Sequence, residues 1–179
     1  MPVTAGWTAW SASHSASIGV AMANDPRMTG YLMRALSAEM AAVQQYLTQS
    51  SLTAMWQLKE YSGRFRRDAE EELGHAQRLI EHMLMLGIPS NGTQLPPIRP
   101  GRSLEEMLLI DRDLEIDVIR LYEEAAHYCA RVRAEGLQAL FASLLQEELG
   151  HLRDLNHLLT DLNAASSGPM EALVAMERT

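Results

Sequence analysis

The pentapeptide Glu-Glu-Leu-Gly-His occurs twice in this chain and places the same chemistry in two regions. Each copy has a glutamate three positions before a histidine, giving the pairs Glu72 with His75 and Glu148 with His151. Residues three apart lie on one face of an α-helix, so each pair can direct a carboxylate and an imidazole at one centre. Carboxylate oxygen and imidazole nitrogen without thiolate suit iron or manganese, although zinc and copper also bind such donors.

Two further glutamates interrupt apolar stripes at helical spacing. Glu39 lies between Leu36 and Val43, and Glu115 precedes Ile119 in a similar stripe. Taken singly, such a glutamate is more often solvated, and a lone histidine on an apolar face is more often an ordinary core residue. Four carboxylates in one core without partners would each cost several kcal/mol, whereas two divalent cations would neutralise all four charges. The six residues together therefore predict a two-metal site.

The spacing of these residues repeats between the two halves of the chain. Glu72 follows Glu39 by 33 positions, and the second-half glutamates have the same separation. An offset of 76 positions relates Tyr46 to Tyr122, and it also relates each ligand of the first half to one of the second. We therefore predict a duplicated helical hairpin whose two copies supply the two halves of one site.

Apolar periodicity predicts four long helices, at about residues 25–56, at about 60–86, from Ser103 onward and after Gly136. Asp25 followed by Pro26 is a typical start signal for the first helix. Ser103 with Glu106 three positions later forms a capping box that starts the third helix. These helices must hold the four glutamates and two histidines on their inner faces.

The segment GIPSNGTQLPPIRPG is too rich in proline and glycine to be helical and is longer than a tight turn, so we expect a long crossover. No convincing strand pattern is present. The predicted fold class is all-α, a four-helix bundle with one long crossover and a short C-terminal fifth helix. We expect a poorly ordered tail over residues 1–24 despite Trp7 and Trp10, the bundle over 25–163, and the short helix over 164–179.

Composition excludes several classes of function. The formal net charge of -8 argues against nucleic-acid binding, which requires clustered basic residues. Lys59 is the only lysine among 15 basic residues, so no polybasic patch for a membrane surface is expected. The single cysteine, Cys129, rules out an internal disulfide and fits a reducing compartment. Because the first residues also lack a charged signal-peptide region, we expect a cytoplasmic protein.

These motifs resemble those of the bacterioferritins, in the ferritin-like superfamily, over roughly Tyr31 to Leu162. The matching segments are SAEMAAVQQY, EELGHA, DLE and EELGH. The resemblance implies a di-iron centre with Glu72 and Glu148 as bridging ligands and Tyr46 beside it. The full implied ligand set is Glu39, Glu72, His75, Glu115, Glu148 and His151.

The resemblance also implies an activity, that of a ferroxidase and iron-storage subunit. Such a subunit oxidises Fe(II) to Fe(III) with O2 or H2O2, and the product is stored in a hollow cage of 24 subunits. A ferredoxin-type reductant would release the iron. Rival interpretations are a di-iron or di-manganese peroxidase or oxygenase, and a structural cage subunit that holds an inert metal such as zinc.

Four positions depart from the family pattern. Leu73 occupies the place of the methionine that ligates haem, so haem binding through this chain is not expected. Arg67 replaces a histidine of an inner-surface iron site, and Leu79 and Asp154 replace two aromatic residues that help to reduce oxygen. Tyr46 is then the expected electron donor near the site. The cage is expected to be a homo-oligomer, or a hetero-oligomer with a haem-binding bacterioferritin subunit.

Overall fold

The computed structural model describes residues 25–90 and 95–176, with side chains described as far as residue 165. Within these ranges the chain forms four α-helices and no strand, which confirms the predicted all-α bundle. The helices are α1 (Pro26–Met55), α2 (Lys59–Met85), α3 (Leu104–Arg131) and α4 (Glu135–Met176). The predicted tail, with Trp7 and Trp10, lies outside the described residues. None of the described helices is long and apolar enough to cross a membrane.

Side-chain caps start α1 and α3 as the sequence predicts. Asp25 Oδ1 accepts hydrogen bonds from the backbone N–H groups of Arg27 at 2.9 Å and Met28 at 3.2 Å. Ser103 Oγ accepts from the Glu106 N–H at 3.1 Å, and the Glu106 carboxylate accepts from the N–H of residue 102 at 2.8 Å. Such caps each contribute about 1 kcal/mol by satisfying amide groups that the helix leaves free.

The two tight turns, between α1 and α2 and between α3 and α4, are built alike. Gln57 and Arg133 are the described non-glycine residues with positive φ, at 64° and 58°. In the first turn Leu58 N–H donates to the carbonyl of residue 53 at 2.8 Å, and in the second Ala134 N–H donates to the carbonyl of Cys129 at 2.9 Å. Because these positions are again 76 apart, the duplication includes the turns as well as the helices.

The crossover from α2 to α3 is fastened to α1 by one side chain. Gln45 Nε2 donates to the Arg99 carbonyl at 2.6 Å, and Gln45 Oε1 accepts from the Arg99 N–H at 2.9 Å. Gly101 then turns the chain into α3 with φ of 78°, and a Cβ there would lie 2.9 Å from the Met107 backbone nitrogen. Only glycine fits that position without displacement of α3.

The core consists of two apolar clusters with a polar layer between them. One cluster contains Leu32, Met83, Tyr122 and Phe141, and the other is packed around Phe65. On every helix the glutamate of the predicted site lies between the segments that enter these two clusters. Packing of α1 on α2 and of α3 on α4, with α1 also against α3, therefore fixes the glutamates at one level of the bundle.

The C-terminal region differs from the sequence expectation. A break was expected in the AASSGP stretch at residues 164–169, followed by a separate short helix in MEALVAMER, within the C-terminal segment 164–179. In the structure α4 continues through this stretch as one helix to Met176. Ala164 and Ala165 favour helical conformation, which allows the helix to pass into the polar segment that was expected to end it.

Candidate metal centre

The structure brings all six sequence-predicted ligands together in the middle of the bundle. The four glutamates are each 1% exposed, and His75 is 4% exposed. Two overlapping groups have ligand atoms within 4.8 Å of one another. The first group is Glu39, Glu72, His75 and Glu148, and the second is Glu72, Glu115, Glu148 and His151. Glu72 and Glu148 belong to both groups, which is the arrangement that two bridging carboxylates require.

The two glutamates shared by both groups, Glu72 and Glu148, divide their oxygen atoms between the two imidazoles. His75 Nδ1 lies 3.0 Å from Glu72 Oε2 and 2.9 Å from Glu148 Oε1. His151 Nδ1 lies 3.2 Å from Glu72 Oε1 and 3.0 Å from Glu148 Oε2. The two rings are nearly parallel, at 16°, with centroids 5.8 Å apart. Each carboxylate can therefore give one oxygen to each of two neighbouring metal positions.

The first glutamate of each pentapeptide orients the histidine of the other pentapeptide. His75 Nε2 lies 3.1 Å from Glu147 Oε2, and His151 Nε2 lies 3.0 Å from Glu71 Oε2. A carboxylate on the outer ring nitrogen holds the imidazole so that Nδ1 faces the centre and strengthens it as a metal donor. Sequence reasoning missed these two glutamates, although their presence in both pentapeptides was a usable signal.

Two tyrosines reach the centre from opposite sides. Tyr46 donates a hydrogen bond to Glu115 Oε1, and Tyr122 donates one to Glu39 Oε1. Of these two tyrosines, only Tyr46 was predicted from the sequence to lie beside the centre. Tyr122 is its counterpart at the offset of 76, so the repeat contained the signal that would have identified it.

Burial and close charge set the protonation of the metal-free centre. Burial raises the pKa of Glu39 and Glu115 well above the usual range. For Glu72 burial acts in the same direction, but the imidazoles of His151 and His75 outweigh it and lower the pKa to about 2. Although burial opposes it, Glu148 and Glu72 raise the pKa of His151 to about 12. Without metal, imidazolium groups therefore compensate the carboxylates, and a metal ion must displace those protons.

Unsatisfied polar atoms converge on the same point. Both oxygens of Glu72, Glu148 Oε1 and His75 Nδ1 are buried and have no aligned hydrogen-bond partner among the described residues. Buried polar atoms without partners cost free energy, and divalent cations would satisfy all of these at once. The donor set of carboxylate oxygen and imidazole nitrogen fits iron on this evidence.

A cavity between α2 and α4 leads to the histidine edge of the centre. Its volume is about 320 Å³, and its lining residues are Glu71, Gly74, His75, Arg78, Glu147 and His151. Arg78 Nη1 lies 2.8 Å from both oxygens of Glu147, and Arg78 Nη2 donates to Ser143 Oγ at 2.8 Å. The opening is thus flanked by the two orienting carboxylates.

The positions that depart from the family pattern lie away from the ligands. The Leu73 side chain is 53% exposed on α2, and Arg67 is exposed on the same helix. Leu79 is fully buried in the first apolar cluster. Asp154 is largely exposed and lies 3.8 Å from Arg64.

Known proteins match this chain over most of its length. Residues 29–165 match the ferritin-like domain. A bacterioferritin from Rhodobacter capsulatus is 34% identical over 73% of this chain and 81% of its own length. A bacterial ferritin from Synechocystis is 34% identical over 60% of this chain and 69% of its own length.

A solved structure gives the same assignment. It is the Rhodobacter capsulatus bacterioferritin with a metal-free dinuclear site and haem iron, which matches with a TM-score of 0.76 and 32% identity. The match covers 79% of this chain and 88% of that one. The repeated ligand geometry and these similarities agree, and the chain belongs to the bacterioferritin family of ferritin-like proteins.

Proposed function

We propose that this chain is a ferroxidase and iron-storage subunit that takes up two Fe(II) ions as substrate at the six-residue centre. The observation that carries the proposal is the division of the oxygens of Glu72 and Glu148 between His75 and His151. That arrangement makes two adjacent metal positions with two shared ligands. Glu39 with His75 completes one position, and Glu115 with His151 completes the other.

Charge explains why this centre suits Fe(II) as substrate. Four ionised glutamates balance the charge of two Fe(II) ions inside a layer that excludes water. Oxidation to Fe(III) adds two positive charges that the same ligands do not balance. The product is therefore held less well relative to a mineral phase, which favours movement of Fe(III) into the interior of a cage.

The residues around the centre also manage protons. Entry of the metal ions displaces protons from His75 and His151, whose pKa values are raised in the metal-free protein. Glu71 and Glu147 remain as acceptors on the outer ring nitrogens, beside the cavity that opens between α2 and α4. The contacts of these carboxylates with Nε2 can stay in place when Nδ1 loses its proton to a metal ion, so the imidazoles keep their orientation.

The assembly and its partners form part of the proposal. The subunits form a cage of 24, either alone or with a haem-binding bacterioferritin subunit. Such a partner would supply any haem site, because Leu73 has no atom that can ligate haem. O2 or H2O2 is the oxidant, and a ferredoxin-type protein supplies electrons for iron release. The cytoplasm is the proposed location, since the buried thiol of Cys129 forms no disulfide.

Oxygen uptake during Fe(II) addition to purified, metal-stripped protein tests the function. We expect the rate of oxygen uptake to break sharply at about two irons per chain, followed by slower oxidation as mineral accumulates. Prior loading with Zn(II) should abolish the fast phase, because zinc blocks the ligands and cannot change valence. Uptake no faster than in buffer would reject the ferroxidase assignment for this chain alone. Peroxide turnover or organic oxidation without mineral would instead indicate a peroxidase or an oxygenase.

A further inference from the structure

Two buried tyrosines occupy equivalent positions in the two halves of the bundle. Tyr46 is 2% exposed and Tyr122 is 0% exposed. Each donates its hydroxyl hydrogen bond to a glutamate on another helix, Tyr46 to Glu115 and Tyr122 to Glu39. These glutamates belong to different metal positions, so each position has one phenol in contact with one of its own ligands.

The surroundings of the two phenols are also alike. The Tyr46 ring packs on Phe65 with centroids 6.3 Å apart, and the Tyr122 ring packs on Phe141 at 5.7 Å. Phenylalanine has no hydroxyl proton and is not readily oxidised. The neighbouring ring therefore would not carry a radical from either buried tyrosine to solvent. Tyr128, in contrast, donates to Asp25 at 2.7 Å, at the capped end of α1.

We propose that Tyr122 is a second redox-active tyrosine, so that Tyr46 and Tyr122 each supply one electron to dioxygen, one beside each metal position. The inference rests on the proposed ferroxidase function and deepens it. Its consequence is that one chain can reduce O2 fully to water without releasing peroxide.

The electrons and protons balance. Reduction of one O2 to two waters requires four electrons and four protons. Two Fe(II) ions give two electrons on becoming Fe(III), and two phenols give two electrons and two protons on becoming phenoxyl radicals. The phenol protons pass first to the contacted oxygens of Glu115 and Glu39, and solvent supplies the other two protons. Two further Fe(II) ions then reduce the radicals, and two protons restore the phenols.

The test combines metal binding with radical counting. Titration with Co(II) first shows that each variant still binds metal, a readout that does not depend on iron oxidation. Metal-stripped protein is then mixed with two Fe(II) per chain and excess O2, frozen rapidly, and examined by electron paramagnetic resonance, while released peroxide is assayed in parallel. The variants are Tyr46→Phe, Tyr122→Phe and the double variant, with Tyr128→Phe as the matched control.

We expect each single variant to lose at least half, but not all, of the tyrosyl radical signal, because one phenol per chain remains and the fourth electron must then come from a third Fe(II) ion. The double variant should have no radical and should release one peroxide for every two Fe(II), while Tyr128→Phe behaves as wild type. Retention of the full signal in Tyr122→Phe, or loss of the whole signal in Tyr46→Phe, would overturn the proposal. Loss of the whole signal in Tyr46→Phe would be decisive even if the Tyr122→Phe variant did not fold. Absence of fast oxygen uptake in wild-type protein would instead reject the underlying ferroxidase function.

Discussion

His75 and Glu147 contact each other across α2 and α4, with Nε2 and Oε2 3.1 Å apart, and Arg78 fixes the same carboxylate. Arg78 and Ser143 hold the pKa of Glu147 below its usual value against the effect of its partial burial. In the other half, His151 contacts Glu71 at 3.0 Å, and no arginine bonds to Glu71 within residues 25–90 and 95–165. The two orienting contacts are therefore equivalent in position but differ in rigidity.

Replacement of Glu147 by glutamine should weaken Co(II) binding by about 10–100-fold, because an orienting carboxylate of a metal-bound histidine has an effect of that size. Glu71→Gln should have a smaller effect, since its carboxylate lacks the arginine that fixes Glu147. Calorimetric titration of the metal-stripped variants measures both. Equal losses in the two variants would show that Arg78 does not contribute through Glu147.

Glu72→Ala should abolish fast Fe(II) oxidation, with a loss of at least about 100-fold, because it removes a ligand from both metal positions. The helices should remain intact, since Glu72 without metal is a source of unsatisfied buried oxygens. Stopped-flow oxidation kinetics and circular dichroism give the two readouts. Glu70→Ala, at an exposed position on the same helix, is the matched control. Rapid oxidation by the Glu72 variant would disprove the proposed site.

Asp111→Asn should stabilise the metal-free protein above neutral pH. Burial raises the pKa of Asp111 to about 7, although Gln49 and Gln45 oppose it. Between about pH 4 and pH 7 the folded state therefore holds a proton that the unfolded state has lost, and wild-type stability falls as pH rises.

The Asp111 variant and wild type should consequently have similar stability near pH 4 and differ by about 1–3 kcal/mol at pH 8. The asparagine amide also provides a donor where Asp111 Oδ2 and Gln49 Oε1 are both buried acceptors without partners. Urea unfolding across this pH range makes the comparison. A constant difference at all pH values would mean that Asp111 does not titrate with the raised pKa.

Gly101→Ala should destabilise the fold by about 2 kcal/mol or more, because it combines positive φ with a clash against the Met107 backbone. Gly87→Ala is the matched control, since its φ is +70° and nothing lies within 4 Å of a new Cβ. Its cost should be about 1 kcal/mol, from backbone strain alone. Thermal unfolding of both variants separates the two contributions. Equal destabilisation would show that the contact with Met107 adds no cost beyond the backbone strain.

Local sequence signals were sufficient for the helices and their starts. The caps at Asp25 and Ser103 and the crossover lie where composition and spacing predicted them, because these features depend on neighbouring residues alone. The structure also brings together Glu39, Glu115 and the two Glu-His pairs, which a repeated interval had already related. These side chains could be predicted because each one interrupts an apolar stripe at helical spacing and so must lie on the buried face of its helix.

Contacts between helices were less accessible from sequence. The contact of Tyr122 with Glu39 and the crossed contacts of Glu71 and Glu147 depend on the axial register of one helix against another, which periodicity within a helix does not encode. The continuation of α4 beyond residue 163 was missed for another reason. The expected break rested on Gly168 and Pro169, which disfavour a helix interior, but the helix continues past both of them.

The offset of 76 that relates the two halves places Asp154 where the first half has Arg78. The bundle therefore has approximate internal twofold symmetry in its ligands and tyrosines, but opposite charges at this pair of positions. Arg78 is paired with Glu147 beside His75, and Asp154 lies 3.8 Å from Arg64, so in both places an arginine of α2 faces a carboxylate of α4. The two proposed metal positions therefore have equivalent ligands but unequal charged surroundings, because the internal repeat does not extend to the ion pairs that join α2 to α4.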